Sequence, residues 1–372
     1  MSALPPGATI GILGGGQLGR MTALAAARLG YRAHVYAPEA DGPGALVSAA
    51  QTVAPYEDAD ALGRFARSVD VVTFEFENVP APALELLAAL VPCRPGLRAL
   101  SICQDRLLEK AFLAEAGVPV APWRAIHAEA DLAPALAEVG LPAVLKTTRL
   151  GYDGRGQAVI RSAEDAAAAF ARLAPHPLIL EAFVPFAAEV SAIAARSADG
   201  AVATYDAVEN RHRHHILDLS IAPARVPEAT ARAARDHVAQ VAERLELVGV
   251  VALELFLLPD GTLLGNEIAP RPHNSGHWTI DACAVSQFEQ HARAVAGLPL
   301  GPTGRHADAV MQNLVGPEGM ALWDSLTAVP DACPHLYGKA EARPGRKMGH
   351  ATHLLPLGAL ASGAYPAGLP PL

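Results

Sequence analysis

The stretch VVALELFLLPDGTLLGNE, ending at Glu267, constrains the fold more than any other part of the chain. Val251, Leu253, Leu255 and Leu257 alternate with the period of a strand, and Asp260-Gly261 is a dipeptide favoured in hairpin turns. With a two-residue turn there, Pro259 opposes Thr262, and counting back sets Glu254 directly opposite Glu267. Two carboxylates facing each other across a ladder repel unless something cationic lies between them. A divalent cation held by both, with Asn266 adding a neutral oxygen, resolves the conflict. Hard oxygen ligands from so few side chains suit magnesium arriving with a nucleotide's phosphates. The alternative is one glutamate protonated or paired with an arginine.

The hairpin runs into a loop rich in anion-binding groups, with two prolines stiffening the backbone beside Arg271 and His273. The string NEIAPRPHNSGHWT resembles the substrate loop of the ATP-grasp carboxylases, and within them that of the 5-(carboxyamino)imidazole ribonucleotide synthetases of purine biosynthesis. The resemblance extends from GILGGGQLGRM to RPGRKMGH, and only the Pro- and Gly-rich C-terminal tail carries no motif of the family. It implies an α/β, three-domain ATP-grasp enzyme: an N-terminal parallel-sheet, Rossmann-like domain over 1–103, an ATP-grasp domain over 104–300 with a mobile lid near 120–180, and a small C-terminal domain over 301–372. The implied reaction is ATP-dependent carboxylation of 5-aminoimidazole ribonucleotide by bicarbonate through carboxyphosphate. ATP and magnesium (or manganese) are the implied cofactors. A cytoplasmic homodimer whose product passes to a separate mutase is the implied setting.

Composition agrees. At 372 residues and 51% hydrophobic, the chain has room for two or three cores. A net charge of −9 argues against coating a nucleic acid. Four scattered cysteines without a CxxC pair suggest neither a zinc site nor a disulfide framework, and fit a reduced cytosolic setting. The N-terminus shows no signal pattern, and VVALELFLL is too short and too interrupted to span a membrane. Of 29 basic residues only four are lysine, namely Lys110, Lys146, Lys339 and Lys347. A compact ammonium on a slim stem suits a phosphate pocket.

Near the start, ATIGILG reads as a strand, Gly14-x-Gly16-x-x-Gly19 as a turn, and the residues from about Leu18 to Leu29 as a helix. AHVYA and DVVTFEFENVP read as further strands, the last carrying Glu75 and Glu77, which predicts a parallel sheet. The glycine motif fits a dinucleotide site with Glu39 as ribose acid, or merely a tight turn. The resemblance offers a third reading, in which Gly16, Gln17 and Leu18 approach the ribonucleotide through amides at a helix start. Glu75 and Asn78 belong to the same substrate side by resemblance.

Lys146 ends the strand LPAVLK and precedes the glycine-rich TTRLGYDGRGQAVI, whose amides could close over phosphates. By resemblance Lys146 and the earlier Lys110 are phosphate ligands. LILEAFVPFAAEVSAIAA reads as strand-turn-strand, and resembles the family's adenine-binding linker. Phe183 and Val184 then meet the base through their backbone, Glu181 flanks them, and Glu189 takes the ribose. A glutamate inside an apolar strand needs partners, which supports Glu189 as a ligand. The irregular Arg211–His215 run is a poor metal motif, and His212 approaches the triphosphate by resemblance.

On the acceptor side, Arg271 and His273 fit bicarbonate and phosphate, while Asn274 and Ser275 add hydrogen bonds. Tyr152 and Asp153 are expected to reach the aminoimidazole, with Asp153 the candidate to hold its amine. Lys339 and Arg346, across the turn of GKAEARPGRKMGH, dock the 5′-phosphate by resemblance. Two other readings compete. A nicotinamide-dependent oxidoreductase leaves the opposed glutamates and the NEIAPRPHNSGHWT loop unexplained. An ATP-grasp enzyme with a different acceptor is disfavoured by PRPHNSGHW.

Overall fold

The computed structural model describes residues 3–149 and 156–370. Three sheets organise them. At the N-terminal end, strands Ala50–Val53, Arg32–Ala37, Thr9–Leu13 and Val71–Phe74 lie side by side in that order, all parallel. The apolar run TIGIL is buried along nearly its whole length, as a strand covered on both faces requires. The third expected strand stops at Phe74, so Glu75 and Glu77 lie in the loop at its carboxyl end. That is where open parallel sheets present their binding groups.

A small antiparallel sheet, Trp123–Ile126, Leu178–Ala182, Ala143–Thr147 and Gln157–Ile160, forms a second unit. The third sheet has nine strands, its central ones Ala188–Arg196, Gly249–Leu257, Val208–Arg213 and Ile216–Ala222. It continues without a break into the C-terminal segment, because Ile216–Ala222 pairs with Asp308–Val315, which pairs with Lys347–Leu355. Around HLYGKAEARPG the chain is strand only up to Leu336. Ala332–Leu336 is a strand, the turn carries Lys339 to Arg346, and Lys347–Leu355 completes the hairpin. Pro344 and Gly345 (φ +76°) favour a turn there over a ladder.

Alanine brings helix and sheet close. Helix Glu228–Arg244 lays Ala231, Ala234, Val238 and Val241 on Ala192, Ala194 and the buried side of Gly249–Leu257. On that strand Val251, Leu253, Leu255 and Leu257 all face the core, as their alternation predicts. Each buried leucine contributes about 1.5–3 kcal/mol. Helix Gln287–Ala296 joins this unit to the parallel sheet by packing Ala292, Val295 and Ala296 among Ile10, Ile12 and Val35. Within it, buried His291 accepts the Val250 amide at Nδ1 (3.2 Å) and meets Thr73 Oγ1 at Nε2 (2.8 Å). Burial pulls this imidazole down to about 3, so it is a neutral linchpin between two sheets. Among the described residues no helix is long and apolar enough to cross a membrane.

Candidate active site

A cavity of about 910 Å³ lies where the small sheet, the edge strand Leu263–Ala269 and the following loop converge. Glu254 and Glu267 line it and are direct cross-strand partners. The register is reached differently from the two-residue turn expected. Pro259 has no N–H for the closing pair such a turn needs. Instead Leu258 donates to Thr262 O (2.9 Å), Gly261 takes φ +90°, and Leu257 pairs with Leu263. A bulge at Asn266 then restores the opposition of the glutamates.

Both carboxylates have cationic or imidazole neighbours. Arg106 Nη1 lies 3.3 Å from Glu267 Oε2, and His273 Nε2 lies 3.0 Å from Glu254 Oε1. Burial pushes the Glu254 carboxyl up, but the hydrogen bond from His273 and the charges of His212 and Lys347 outweigh it and hold it below its ordinary value. Behind Glu267, buried Glu109 accepts the Ile268 amide at 2.5 Å, and burial followed by the charge of Glu267 pushes it well up.

Gln287 clamps the loop: Oε1 accepts from His273 N (2.9 Å) and Nε2 donates to His273 O (2.6 Å). Gly276 allows this contact, since a Cβ there would lie 2.3 Å from Ile193 Cδ1 and 2.6 Å from Gln287 Oε1. His273 Nδ1 accepts from the Ser275 amide (3.3 Å) and meets Ser275 Oγ at 2.9 Å, leaving the Nε2 proton for Glu254. Ser275 is wholly buried and continues a polar chain through Ser191 Oγ (2.7 Å) to Asn210 and Ser220. It orients His273 from behind rather than lining the cavity, a correction to its expected place on the substrate. Asn274 does line the cavity, and both of its side-chain polar atoms are buried without a partner. Arg271 makes a two-pronged contact with Glu77, at 2.5 and 3.0 Å. Burial acts against the charge on each, yet their pairing prevails: Arg271 is raised and Glu77 lowered.

On the nucleotide side, Lys146, Phe183, Val184, Glu189, His212 and Asn266 all line the cavity. Lys110 and Glu181 do not. Glu181 is buried beneath it, accepts from Lys146 Nζ at 2.8 Å and lies 3.6 Å from Lys110 Nζ. Lys110 also donates to the carbonyls of Gly265 (3.2 Å) and Asn266 (2.7 Å). Burial opposes the Glu181 charge, but Lys110 and Lys146 bring that carboxyl down to about 2. Lys110 thus fixes the bulge instead of facing the cavity. The Phe183 amide donates to Pro142 O (3.0 Å), so it is engaged within the fold. Glu189 Oε2 meets His212 Nδ1 at 2.7 Å. His214 and His215, from the run that makes a poor metal motif, also line the cavity, on a turn where both have positive φ.

The Glu189–His212 pair gives a pH prediction. Burial lowers the imidazole, but the hydrogen bond and charge of Glu189 outweigh it and hold it above 6.5. Stability from a raised group is fully present below its unfolded value and is lost as pH rises through the folded one. His212→Asn should therefore lower the melting temperature most below pH 6.5 and least in alkaline buffer. An equal loss at every pH would contradict this.

The glycine turn departs from expectation. The amides of Gly16 and Gly19 both donate to the buried Glu75 carboxylate, the latter at 2.5 Å. Burial pushes Glu75 up despite these amides and the charges of Arg271 and Lys339. The anion position of the supposed dinucleotide fingerprint is thus filled by the chain itself, and Gly16, Gln17, Leu18 and Glu75 stand outside the main cavity, although Asn78 lines it. Lys339 lies close enough to feel Glu75 and Arg346. It donates to Lys347 O at 2.6 Å, and burial, then Arg346 and Lys347, pull it down to about 8. Arg346 donates to Glu341 O at 2.9 Å. Tyr152 and Asp153 lie outside the described residues.

Several lining residues were not anticipated. Arg106 had a signal: it opens a helix capped by Asp105, where the macrodipole disfavours a cation without another duty. Phe186 and Phe256 stack at 4.8 Å and 8°, an apolar wall that only the paired strands bring together. Glu77 had no local signal, since its partner is distant in sequence.

The comparisons with known proteins agree with this geometry. Residues 7–104 match the ribonucleotide synthetase preATP-grasp domain, 111–288 the ATP-grasp domain, and 309–356 the phosphoribosylaminoimidazole carboxylase C-terminal domain. An N5-carboxyaminoimidazole ribonucleotide synthase of Brucella melitensis is 51% identical, over 95% of this chain and 98% of that one. Its Bacillus subtilis counterpart is 44% identical, over 94% and 92%. Among solved structures, the Aspergillus clavatus synthase in complex with ADP and 5-aminoimidazole ribonucleotide superposes with a TM-score of 0.89 at 33% identity, covering 96% of each chain. With its parallel sheet, its ATP-grasp unit and the opposed glutamates in place, the chain belongs to the N5-carboxyaminoimidazole ribonucleotide synthase family of ATP-grasp ligases.

Proposed function

We infer that the cavity is where ATP, bicarbonate and 5-aminoimidazole ribonucleotide meet, and that the chain is an ATP-dependent carbon–nitrogen ligase making the carboxyamino ribonucleotide for purine biosynthesis. The observation that carries this reading is the direct opposition of Glu254 and Glu267 in a cavity that also holds Arg106, Lys146, Arg271 and His273. An all-oxygen donor set of Glu254, Glu267 and Asn266 fits magnesium, whose positive charge when bound would offset that of the phosphates. Lys146 and Arg106 draw the phosphates in, the Phe186–Phe256 stack walls the base, and the Val184 backbone and Glu189 hold the nucleoside. Arg271, fixed by Glu77, gathers bicarbonate, and a bicarbonate oxygen attacks the γ-phosphorus with loss of ADP. His273, held in one tautomer by Ser275, stands beside Glu254 to stabilise the mixed anhydride that forms. The exocyclic amine, held by Asp153, then attacks the carboxyl carbon; the carbon–oxygen bond to phosphate breaks, and the amine gives up a proton. A reaction through so labile an anhydride needs water kept out of the cavity. The cytoplasm, a homodimer and a separate mutase complete the setting.

The test is coupled phosphate release. ADP and phosphate should form at a rate that depends on both bicarbonate and 5-aminoimidazole ribonucleotide, with one carboxylated product per ATP. ATP cleavage indifferent to the ribonucleotide would point to another acceptor.

Lys339 gives a sharper prediction. If it and Arg346 take the monoester phosphate, each forms a charge-assisted bond of about 1.5–3 kcal/mol. Lys339→Met should then raise the KM for the ribonucleotide roughly ten- to a hundredfold and barely change that for ATP. A fall in ATP affinity alone would reassign this hairpin to the nucleotide.

A further inference from the structure

Beyond the cavity, three imidazoles stand in file at the C-terminal hairpin. His277 and His350 have ring centroids 4.7 Å apart, and His350 and His335 stack at 4.6 Å and 15°. His335 and His350 are direct partners across the Ala332–Leu336 and Lys347–Leu355 ladder. Asp281, on the short helix Thr279–Ala282, reaches over them and meets His335 Nε2 at 2.9 and 3.2 Å. The carboxylate and the two imidazoles each offer an atom within 4.8 Å of the others.

His350 is the informative member. It is wholly buried, its Nδ1 lies 2.9 Å from the hydroxyl of buried Tyr337, and its Nε2 is buried with no partner. An orphaned polar atom in the interior is costly, and native structures rarely leave one without cause. With Nδ1–H donated to the Tyr337 oxygen, Nε2 carries a lone pair. This is the arrangement of a metal-bound histidine, whose other nitrogen is fixed by an outer partner.

We propose that Asp281, His335 and His350 form a binding site for a transition-metal cation of the zinc class, clasping the Thr279–Ala282 helix to the C-terminal hairpin. Two imidazoles and one carboxylate are borderline donors that suit zinc and its neighbours better than magnesium. Tetrahedral bonds of about 2.1 Å set ligand atoms roughly 3.4 Å apart, so small side-chain rotations close the site. His335 is 30% exposed and Asp281 14%, which gives the ion a route in and leaves a position for water. The metal would replace the Asp281–His335 hydrogen bond and satisfy His350 Nε2. It would also fix Tyr337, and so the turn bearing Lys339, against the helix that follows the His273 loop.

The experiment is equilibrium dialysis of zinc against the full-length chain, stripped with chelator and kept in excess magnesium so that the carboxylate pair of the main cavity is masked. One zinc per chain is expected, with a zinc-dependent rise in melting temperature. Asp281→Asn and His335→Ala, both at partly exposed positions, should each abolish that stoichiometric binding and the rise, while melting normally without zinc. Tyr337→Phe should weaken binding about ten- to a hundredfold, as loss of an outer partner does. The proposal is overturned if the wild type holds no zinc. It is equally overturned if the Asp281 and His335 variants hold as much as the wild type, which would move the ion elsewhere. Unchanged affinity in Tyr337→Phe would remove His350 from the site.

Discussion

Glu267→Gln is expected to cut turnover by about a thousandfold while the protein stays folded. The loss corresponds to roughly 4 kcal/mol of transition-state stabilisation, a reasonable share for a metal ligand that anchors phosphoryl transfer. Folding should survive because Glu267 is 42% exposed and its removal relieves the repulsion with Glu254. Buried Glu109, pushed up partly by the Glu267 charge, would also ionise more easily. Arg106 keeps Glu109 and Glu181 as neighbouring charges. The check is steady-state ATP hydrolysis across a magnesium titration, with melting curves alongside. Wild-type hydrolysis by the variant at limiting magnesium would remove Glu267 from the metal site.

Arg271→Met should fail in two separable ways. The substitution strands the Glu77 carboxylate, and breaking a buried pair costs about 3–5 kcal/mol, reduced here to about 2–3 because both side chains are partly exposed. It also removes the group assigned to bicarbonate, so turnover should fall by about a hundredfold or more. Adding Glu77→Gln takes away the stranded charge and should restore most of the stability. It should restore none of the turnover. Recovery of both in the double variant would show that Arg271 serves the fold through Glu77 and has no part in the chemistry.

Legibility in the sequence followed the range of the interactions. The glutamate opposition could be read because a strand has period two and the turn is close in sequence. Even so, the turn and the bulge at Asn266 were both missed, and their two one-residue shifts cancelled. The glycine turn misled for a related reason. Its spacing is local, but the Glu75 side chain that fills it comes from a different strand end. Lys110 and Ser275 were recognised as important, yet motifs do not say whether a side chain faces a ligand or braces one that does. Lys110 pins Glu181 and the bulge, and Ser275 pins His273. The Arg271–Glu77 pair and the Phe186–Phe256 stack join residues far apart in the chain, and only the folded sheets bring them together.

The central claim is that this site activates bicarbonate by phosphorylating it. Oxygen-18-labelled bicarbonate tests it most directly in a short assay with ATP and 5-aminoimidazole ribonucleotide. If a bicarbonate oxygen attacks the γ-phosphorus and the carboxyl carbon later leaves it, each phosphate released carries one labelled oxygen from bicarbonate. Label in the phosphate, in proportion to carboxylated product, is the predicted result. Unlabelled phosphate alongside labelled product would mean that ATP is cleaved by water and that carboxyphosphate does not form in this cavity.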